Sequence, residues 1–324
     1  MKSRRAMLAG LALVLALPQR AQAAPAVRRV AVLAPSTAER EAATLKPFFD
    51  EMRRLGWSEG QQIAYDRAYA DDRHETLPRL AAALVARRPD LIYAPPSPAA
   101  VAAKGATSTI PIVFGTATDP VGTGLVQSLA RPGGNVTGIC SVIESLAPKS
   151  LELLQQLLPG LRRVGLLGER LDARLRLDRD ALVPLLAARG MQLTLAEATN
   201  PQGVDAAVER LLKGRVEVVM TNSSLTYNLR ERLAEHFRAH RVALVGHRLE
   251  MVEAGALFSY GASLAEQLRA SAQVVDRILK GASPSGIPVE QPTRFELAFN
   301  TGTARALGID VPPTVRLRAD RLIE

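Results

Sequence analysis

The 324-residue sequence has little cysteine and few aromatic side chains, and each shortage excludes a class of site. Its single cysteine, Cys140, excludes an internal disulfide and a cysteine-cluster metal centre. Aromatic residues make up 4% of the chain, and the basic residues are spread among acids. Nucleic-acid binding favours clustered basic residues interleaved with aromatics. We therefore expect neither a nucleic-acid partner nor a metal held by cysteines.

Motifs for hydrolytic and nucleotide chemistry are also absent from the sequence. It contains no H-E-x-x-H, no G-x-S-x-G elbow, no P-loop and no G-x-G-x-x-G. His236 and His240 have the i, i+4 spacing that can hold a metal. They lie on a charged helix end, however, where histidine also suits the helix dipole. The sequence thus predicts no enzyme activity, no resident metal and no cofactor.

The amino terminus has the composition of an export signal. Basic residues in the first five positions precede an apolar stretch over 6–17, and small residues follow. This arrangement predicts a signal peptide over 1–24, cleaved near Ala23 or Ala24, by either the general or the twin-arginine route. The rest of the sequence has no apolar run long enough to span a membrane. We therefore expect a periplasmic protein.

Beyond this leader, short apolar strands alternate with amphipathic helices. The runs 28–34, 90–94 and 112–114 are short and apolar, and each is followed by polar residues. Such alternation predicts parallel sheets with right-handed crossovers. About five strands precede residue 141 and about five follow it, which favours two doubly wound α/β lobes over one continuous sheet.

The stretch 110–138, IPIVFGTATDPVGTGLVQSLARPGGNVTG, combines the features expected at a ligand site. Its apolar strand ends at the polar residues Thr116, Thr118 and Asp119, and the Asp-Pro step predicts the cap of a short helix reaching Leu129. In open α/β sheets, small ligands bind at the carboxyl ends of strands. We therefore expect this strand end to face a ligand.

Several segments of the chain resemble the substrate-binding proteins of ABC transporters, in the subfamily that includes tryptophan- and tyrosine-binding members. The matching segments are 110–138, LGWSEGQQI at 55–63, KSLELLQQLLPGLRRVGLL at 149–167, EAGALFSYG at 253–261, RILKGASPSGIPVEQPTRFELAFN at 277–300 and ALGIDVPPTVRLRADRLIE at 306–324. The resemblance implies a type I periplasmic-binding fold, in which the chain crosses three times between two hinged lobes. It also implies a small-molecule solute and ABC permease membrane subunits as partners.

Glycine or proline marks the three places where these crossings are expected, near Ser141, near Gly261 and within 283–288. A helix over 263–280 would then return to the first lobe. The division that follows is 28–141 plus 261–283 for the first lobe, and 142–260 plus 284–324 for the second.

Polar residues at the predicted strand ends form the candidate binding set. They are Thr37, Ser97, Thr116, Thr118 and Asp119 in the first lobe, and Glu169, Asn222, Ser223 and Tyr260 in the second. Ser97 is the sharpest candidate, because a hydroxyl beside the free N–H groups of a helix start can hold a carboxylate. A serine there is also a common helix cap, and the same alternative applies to Asp119.

The ligand class follows in part from the resemblance. In amino-acid-binding relatives an aspartate stands where this chain has Asn222, so an ordinary α-amino acid is disfavoured unless Glu169 or Asp119 supplies the charge. We expect a monomeric solute-binding component of an ABC importer, which captures a small amino-acid-like or carboxylate solute by hinge closure. The alternatives are a periplasmic ligand sensor for a receptor or kinase, and a periplasmic enzyme that uses the same cleft.

Overall fold

The computed structural model describes residues 27–142, 144–170 and 172–324, so the predicted signal peptide lies outside the described residues. The strands are β1 (Arg28–Ala34), β2 (Ile63–Tyr69), β3 (Leu91–Tyr93), β4 (Ile112–Thr118), β5 (Val136–Val142), β6 (Arg163–Glu169), β7 (Gln192–Ala198), β8 (Val218–Thr221), β9 (Ala243–Gly246), β10 (Phe258–Gly261), β11 (Glu296–Asn300) and β12 (Arg321–Ile323). The helices are α1 (Ala38–Thr44), α2 (Lys46–Arg54), α3 (Leu77–Ala86), α4 (Ser97–Ala106), α5 (Ala147–Leu157), α6 (Ala173–Ala188), α7 (Pro201–Lys213), α8 (Ser224–Asn228), α9 (Arg230–Ala239), α10 (Leu249–Glu253), α11 (Leu264–Leu279), α12 (Thr301–Leu307) and α13 (Pro313–Arg316).

The first five strands form one parallel sheet in the order β2-β1-β3-β4-β5. Alternate residues of β1 face opposite sides of it, since successive side chains of a strand point to opposite faces. Val30 and Val32 join the apolar cluster that includes residues of α2 and α11. Ala31 and Leu33 join the cluster under α3 and α4. This sheet and these helices, with α1, are called the first lobe below.

The remaining strands form a second sheet in the order β12-β11-β10-β9-β8-β6-β7. Its pairs are parallel, except that β11 runs antiparallel to β10. With its helices α5 to α10, α12 and α13 it is called the second lobe. The predicted α/β fold of two lobes is confirmed, with an added edge of two strands from the carboxyl-terminal segment.

The helix α11 follows β10 in the chain but packs against α2 and β4 of the first lobe. Polar contacts help to hold it there. The Trp57 indole Nε1 donates to Asp276 Oδ1 at 2.8 Å, and the buried Tyr93 Oη lies 2.8 Å from Ser271 Oγ. Because Ser271 Oγ donates its own hydrogen to Leu268 O, the Tyr93 hydroxyl is the donor.

The segment that follows α11 remains hydrogen-bonded to the first sheet beyond the predicted crossing at 283–288. Cys140 N donates to Glu290 O at 2.8 Å, Glu290 N donates to Gly138 O at 3.1 Å, and Thr137 Oγ1 donates to Ile287 O at 2.7 Å. These bonds cover the free edge of β5, whose backbone groups would otherwise lack partners. The chain therefore leaves the first sheet after Glu290, not within 283–288, while the division into domains stays a prediction.

A Tyr93→Phe variant is expected to lose about 1 kcal/mol of unfolding free energy, because it removes one buried hydrogen bond between β3 and α11. Urea unfolding of the variant and the wild type measures the difference. Tyr69→Phe on β2, at a half-buried position, is the control and should change stability by less than about 0.5 kcal/mol. Equal losses in the two variants would contradict the assignment.

Candidate functional site

The carboxyl ends of the two sheets face each other, and side chains from both lobes line three adjoining cavities between them. The central cavity, of about 20 Å³, is lined by Pro96, Ser97, Pro98, Thr116, Thr118, Ser141, Asp172, Arg174, Asn222, Ser224, His247 and Arg248. It shares Ser97, Pro98 and Asp172 with a side cavity of about 570 Å³. It shares Thr116 and Arg248 with a third cavity of about 40 Å³. The central cavity has room for about one water molecule, so the lobes must open to admit a solute.

The structure brings some of the predicted binding residues together and leaves others apart. Those lining the central cavity are Ser97, Thr116, Thr118 and Asn222. Glu169 lines the side cavity. Those outside all three cavities are Thr37, Asp119, Ser223 and Tyr260.

Ser97 is the first residue of α4 and does not cap it as predicted, since the cap position is Pro96. Its Oγ accepts a hydrogen bond of 2.8 Å from Thr118 N and so joins α4 to the end of β4. The hydroxyl hydrogen of Ser97 therefore remains available for donation into the cavity. Thr116 Oγ1 donates to Pro95 O at 3.3 Å, which fixes the neighbouring strand end.

Two predicted binding residues cap helices instead of lining a cavity. Thr37 caps α1, with Oγ1 accepting from Arg40 N at 3.4 Å. Ser223 forms a capping box with Thr226 at the start of α8. Both arrangements satisfy backbone N–H groups at helix starts, the alternative role that serine and threonine serve there.

Asp119 and Tyr260 are the other two predicted binding residues that lie outside the cavities. Asp119 has a φ of 44°, and its Oδ1 accepts from Gly122 N at 2.9 Å. The helix predicted to follow it as far as Leu129 is replaced by turns, because Gly124 adopts a φ of 72° that ends any helix. The ring of Tyr260 packs in the second lobe, 6.0 Å from the ring of Phe295.

The second lobe contributes a buried charge that the sequence analysis does not identify. Arg174, in the first turn of α6, is 4% exposed, and its Nε and Nη1 have no hydrogen-bond partner. The nearby carboxylate of Asp178 accepts from Ser145 Oγ at 2.6 Å and from Asn222 Nδ2. The Asn222 amide is thereby held in the cavity wall. Burial raises the pKa of Asp178, while the Arg174 charge and these hydrogen bonds lower it.

The first lobe contributes a buried acid on the opposite side. Glu41 of α1 lines the third cavity, and burial raises its pKa to about 7. Arg248 lies in the wall between that cavity and the central one, 4.9 Å from the Tyr227 ring centre. Burial lowers the pKa of His247 well below its usual value, so its ring is neutral at pH 7, and its Nδ1 has no partner.

Polar contacts between side chains join the lobes across the cleft. His74 Nδ1 lies 2.5 Å from Glu169 Oε1, and both side chains are at least nine-tenths buried. Asn228 Nδ2 donates to Asp72 Oδ1 at 3.1 Å, and Arg176 lies 3.5 Å from Asp119. Burial opposes the charged form of His74, but the hydrogen bond and charge of Glu169 outweigh it and raise the pKa of His74. The structure is thus a closed form of the two lobes.

Within residues 27–142, 144–170 and 172–324, no group of three or more His, Cys, Asp or Glu side chains could hold a metal ion. His236 and His240 stack with ring centres 4.6 Å apart, and His240 Nδ1 contacts His236 O, so the pair is engaged within its own helix. In the same part of the chain, every helix is too short or too polar to cross a membrane.

Arg174 could have been suspected from sequence by one feature, its position in the first turn of a helix. A positive charge there interacts unfavourably with the helix dipole, so its presence indicates another role for the residue. Glu41 gives no such sign, because glutamate is common on exposed helix faces. Tyr227 and Arg248 of the other lobe line the same cavity as Glu41.

Two α/β lobes that close on a polar, charged cavity define a ligand-binding protein of the type I periplasmic-binding fold. The chain belongs to the ABC transporter substrate-binding protein family, whose model matches residues 29–323, and the predicted family is confirmed. It is 26% identical over 278 residues to a tyrosine-binding protein of Clostridioides difficile, covering 86% of this chain and 78% of that one.

Solved structures give the same fold. A conserved domain protein from Vibrio cholerae superimposes with a TM-score of 0.82 and 28% identity, covering 91% of this chain and 99% of that one. The ABC domain from Streptococcus pneumonia, solved in complex with L-Trp, superimposes with a TM-score of 0.84 and 22% identity. That match covers 92% of this chain and all of the other.

Proposed function

We propose that this protein is the extracytoplasmic solute-binding component of an ABC importer. It captures a small amino-acid-like or carboxylate solute between its lobes and delivers it to ABC permease membrane subunits. The observation that supports this is the cleft itself, where hydroxyl, amide and charged side chains of both lobes line one cavity. Family membership supports the importer role, and the similar tyrosine-binding protein and L-Trp complex support the amino-acid-like solute.

The mechanism is hinge closure. A solute that contacts both lobes adds binding free energy only in the closed form, and it shifts the open–closed equilibrium by that difference. Ser97 donates to the solute from the first lobe, and Asn222, oriented by Asp178, contacts it from the second. The side cavity, with walls that include Leu77, Val101 and Ala173, receives the apolar part of the solute. No covalent step is needed.

Calorimetric titration of the protein without its predicted leader tests this function. We expect one-to-one binding of a solute from a panel of L-tryptophan, L-tyrosine and aromatic carboxylates, and we expect the solute to be recovered unchanged. Conversion of the solute into a product would show an enzyme instead. Failure of every solute in the panel to bind would contradict the proposed solute class.

A Ser97→Ala variant is expected to bind the solute about 3- to 10-fold more weakly, because one hydrogen bond to the solute is lost. The unfolding free energy should fall by only about 1 kcal/mol, through the loss of the bond to Thr118 N. Ser108→Ala, exposed near the opposite end of α4, is the matched control and should bind like the wild type. Unchanged affinity in the Ser97 variant would remove Ser97 from the site.

A further inference from the structure

The Arg174 guanidinium has an unusual position for a charged group. It is 4% exposed, it lines the central cavity between the lobes, and its Nε and Nη1 have no hydrogen-bond partner. Two carboxyl groups near it, by contrast, accept hydrogen bonds. Asp178 accepts from Ser145 and Asn222, and Asp172 Oδ1 accepts from Arg174 N at 2.9 Å.

This placement is unfavourable in the closed form without a solute. A buried donor without a partner costs about 1–3 kcal/mol, and more when the donor is charged. The first turn of α6 adds to the cost, because the helix dipole is positive at that end. Burial also lowers the pKa of Arg174, which is the direction expected for a cation held away from water.

Two acids lie near Arg174, but neither is hydrogen-bonded to its Nε or Nη1. Asp178 lies one turn further along α6, but its oxygens accept from a hydroxyl and an amide. Asp172 caps α6, and burial raises its pKa to about 6. Arg248 brings a second guanidinium into the same wall, and His247 is neutral. The wall of the central cavity therefore contains two guanidinium groups and one carboxyl group.

We infer that Arg174 binds the carboxylate of the transported solute and selects carboxylate solutes over the corresponding amides. A planar guanidinium presents two parallel N–H groups that match the two oxygens of a carboxylate. The unpartnered Nε and Nη1 of Arg174 lie on different edges of the guanidinium, and a carboxylate that enters the cavity would give one of these edges an acceptor. The inference rests on the proposed function and adds to it the chemical group that the cleft recognises.

Three acid–amide pairs test this selection: L-tryptophan and L-tryptophanamide, L-tyrosine and L-tyrosinamide, and 3,4-dihydroxybenzoate and its amide. For a solute that binds, the amide should bind the wild type about 10- to 100-fold more weakly than the acid. Arg174→Met should weaken the acid by a similar factor and remove the preference for acid over amide. Arg179→Met, on the exposed face of α6, should bind like the wild type. Equal binding of acid and amide to the wild type, or an unchanged preference in Arg174→Met, would overturn the inference.

The melting temperature of the solute-free variants tests the same residue without a solute. If Arg174 is kept for a solute, Arg174→Met leaves the melting temperature unchanged or raises it, because an unpartnered charge is replaced by an apolar chain. A fall of more than about 4 °C would show that Arg174 stabilises the fold and would overturn the inference. If the wild type binds no solute of the panel, the proposed function fails for these solutes. The melting temperatures then still decide between the two roles of Arg174.

Discussion

A Gly261→Ala variant is expected to lose at least about 3 kcal/mol of unfolding free energy and to lose solute binding with it. Gly261 ends β10, and a methyl group added to its Cα would overlap the backbone oxygen of His247. Because the overlapping atom belongs to the backbone, no side-chain rotation relieves it. The chain after β9 would have to move away from β10. His247 lines the central cavity, so this displacement also distorts the binding site.

Gly105→Ala is the matched control for this substitution. Gly105 lies within α4, and no atom lies near the position of an added methyl group. The helix should gain up to about 1 kcal/mol from the better helix propensity of alanine. Urea unfolding and calorimetric titration measure both variants. A Gly261 variant that unfolds and binds like the wild type would show that the β9–β10 contact is looser than the structure indicates.

Loss of the His74 side chain should open the lobes. His74→Ala leaves the buried carboxylate of Glu169 without its partner, and breaking a buried pair in this way costs about 3–5 kcal/mol. That cost falls on the closed form, since an open cleft exposes Glu169 to water. The solute-free variant should therefore have a larger radius of gyration by small-angle scattering than the wild type. Its affinity for a bound solute should fall at least about 100-fold.

His240→Ala, an exposed histidine at the end of α9, is the control for this measurement and should scatter like the wild type. Glu169→Gln distinguishes the effect of the negative charge from that of the hydrogen bond. It keeps a hydrogen-bonding group of similar size beside His74 but removes the charge. It should open the lobes less than His74→Ala does. If His74→Ala and the wild type have the same radius of gyration, the contact does not hold the cleft closed.

The same contact predicts a pH dependence with a definite sign. The pKa of His74 is raised, so its ion pair with Glu169 contributes fully below the ordinary histidine pKa and is lost as the pH rises through the raised value. Glu41 and Asp172 act in the same direction, since burial raises their pKa values to about 7 and about 6. His247, whose pKa burial lowers, acts in the opposite direction up to the ordinary histidine pKa, so the fall in stability is expected between about pH 6.5 and pH 8. The difference in melting temperature between the wild type and His74→Ala should narrow over the upper part of that range.

Much of the fold could be predicted from the sequence, because local residue patterns indicate where the strands lie. The run predicted over 28–34 is β1 in the structure. A short apolar segment with β-branched residues that is followed by a proline is typical of a buried strand. The bonds between Glu290 and β5 could not be predicted in this way. They join positions far apart in the chain, and nothing in the local pattern of 287–290 marks them.

Some of the residues that line the cavities could be predicted from local sequence, and others could not. Thr116 and Thr118 lie in the last three residues of β4, and Ser97 begins the helix after β3, so their place at the sheet edge follows from strand ends alone. Arg174 and Glu41 lie inside helices and line cavities to which both lobes contribute. A polar residue inside a helix is exposed in most proteins, and its burial is a property of the tertiary structure.

The contact between Trp57 and Asp276 gives the protein a built-in optical probe. Trp57 is the single tryptophan of the chain, and its indole donates to a residue near the end of α11. Its fluorescence therefore reports how firmly that returning helix is docked. A denaturation curve followed by tryptophan emission records the melting of one half of the molecule. Circular dichroism records both halves, so any gap between the two curves measures how independently the halves unfold.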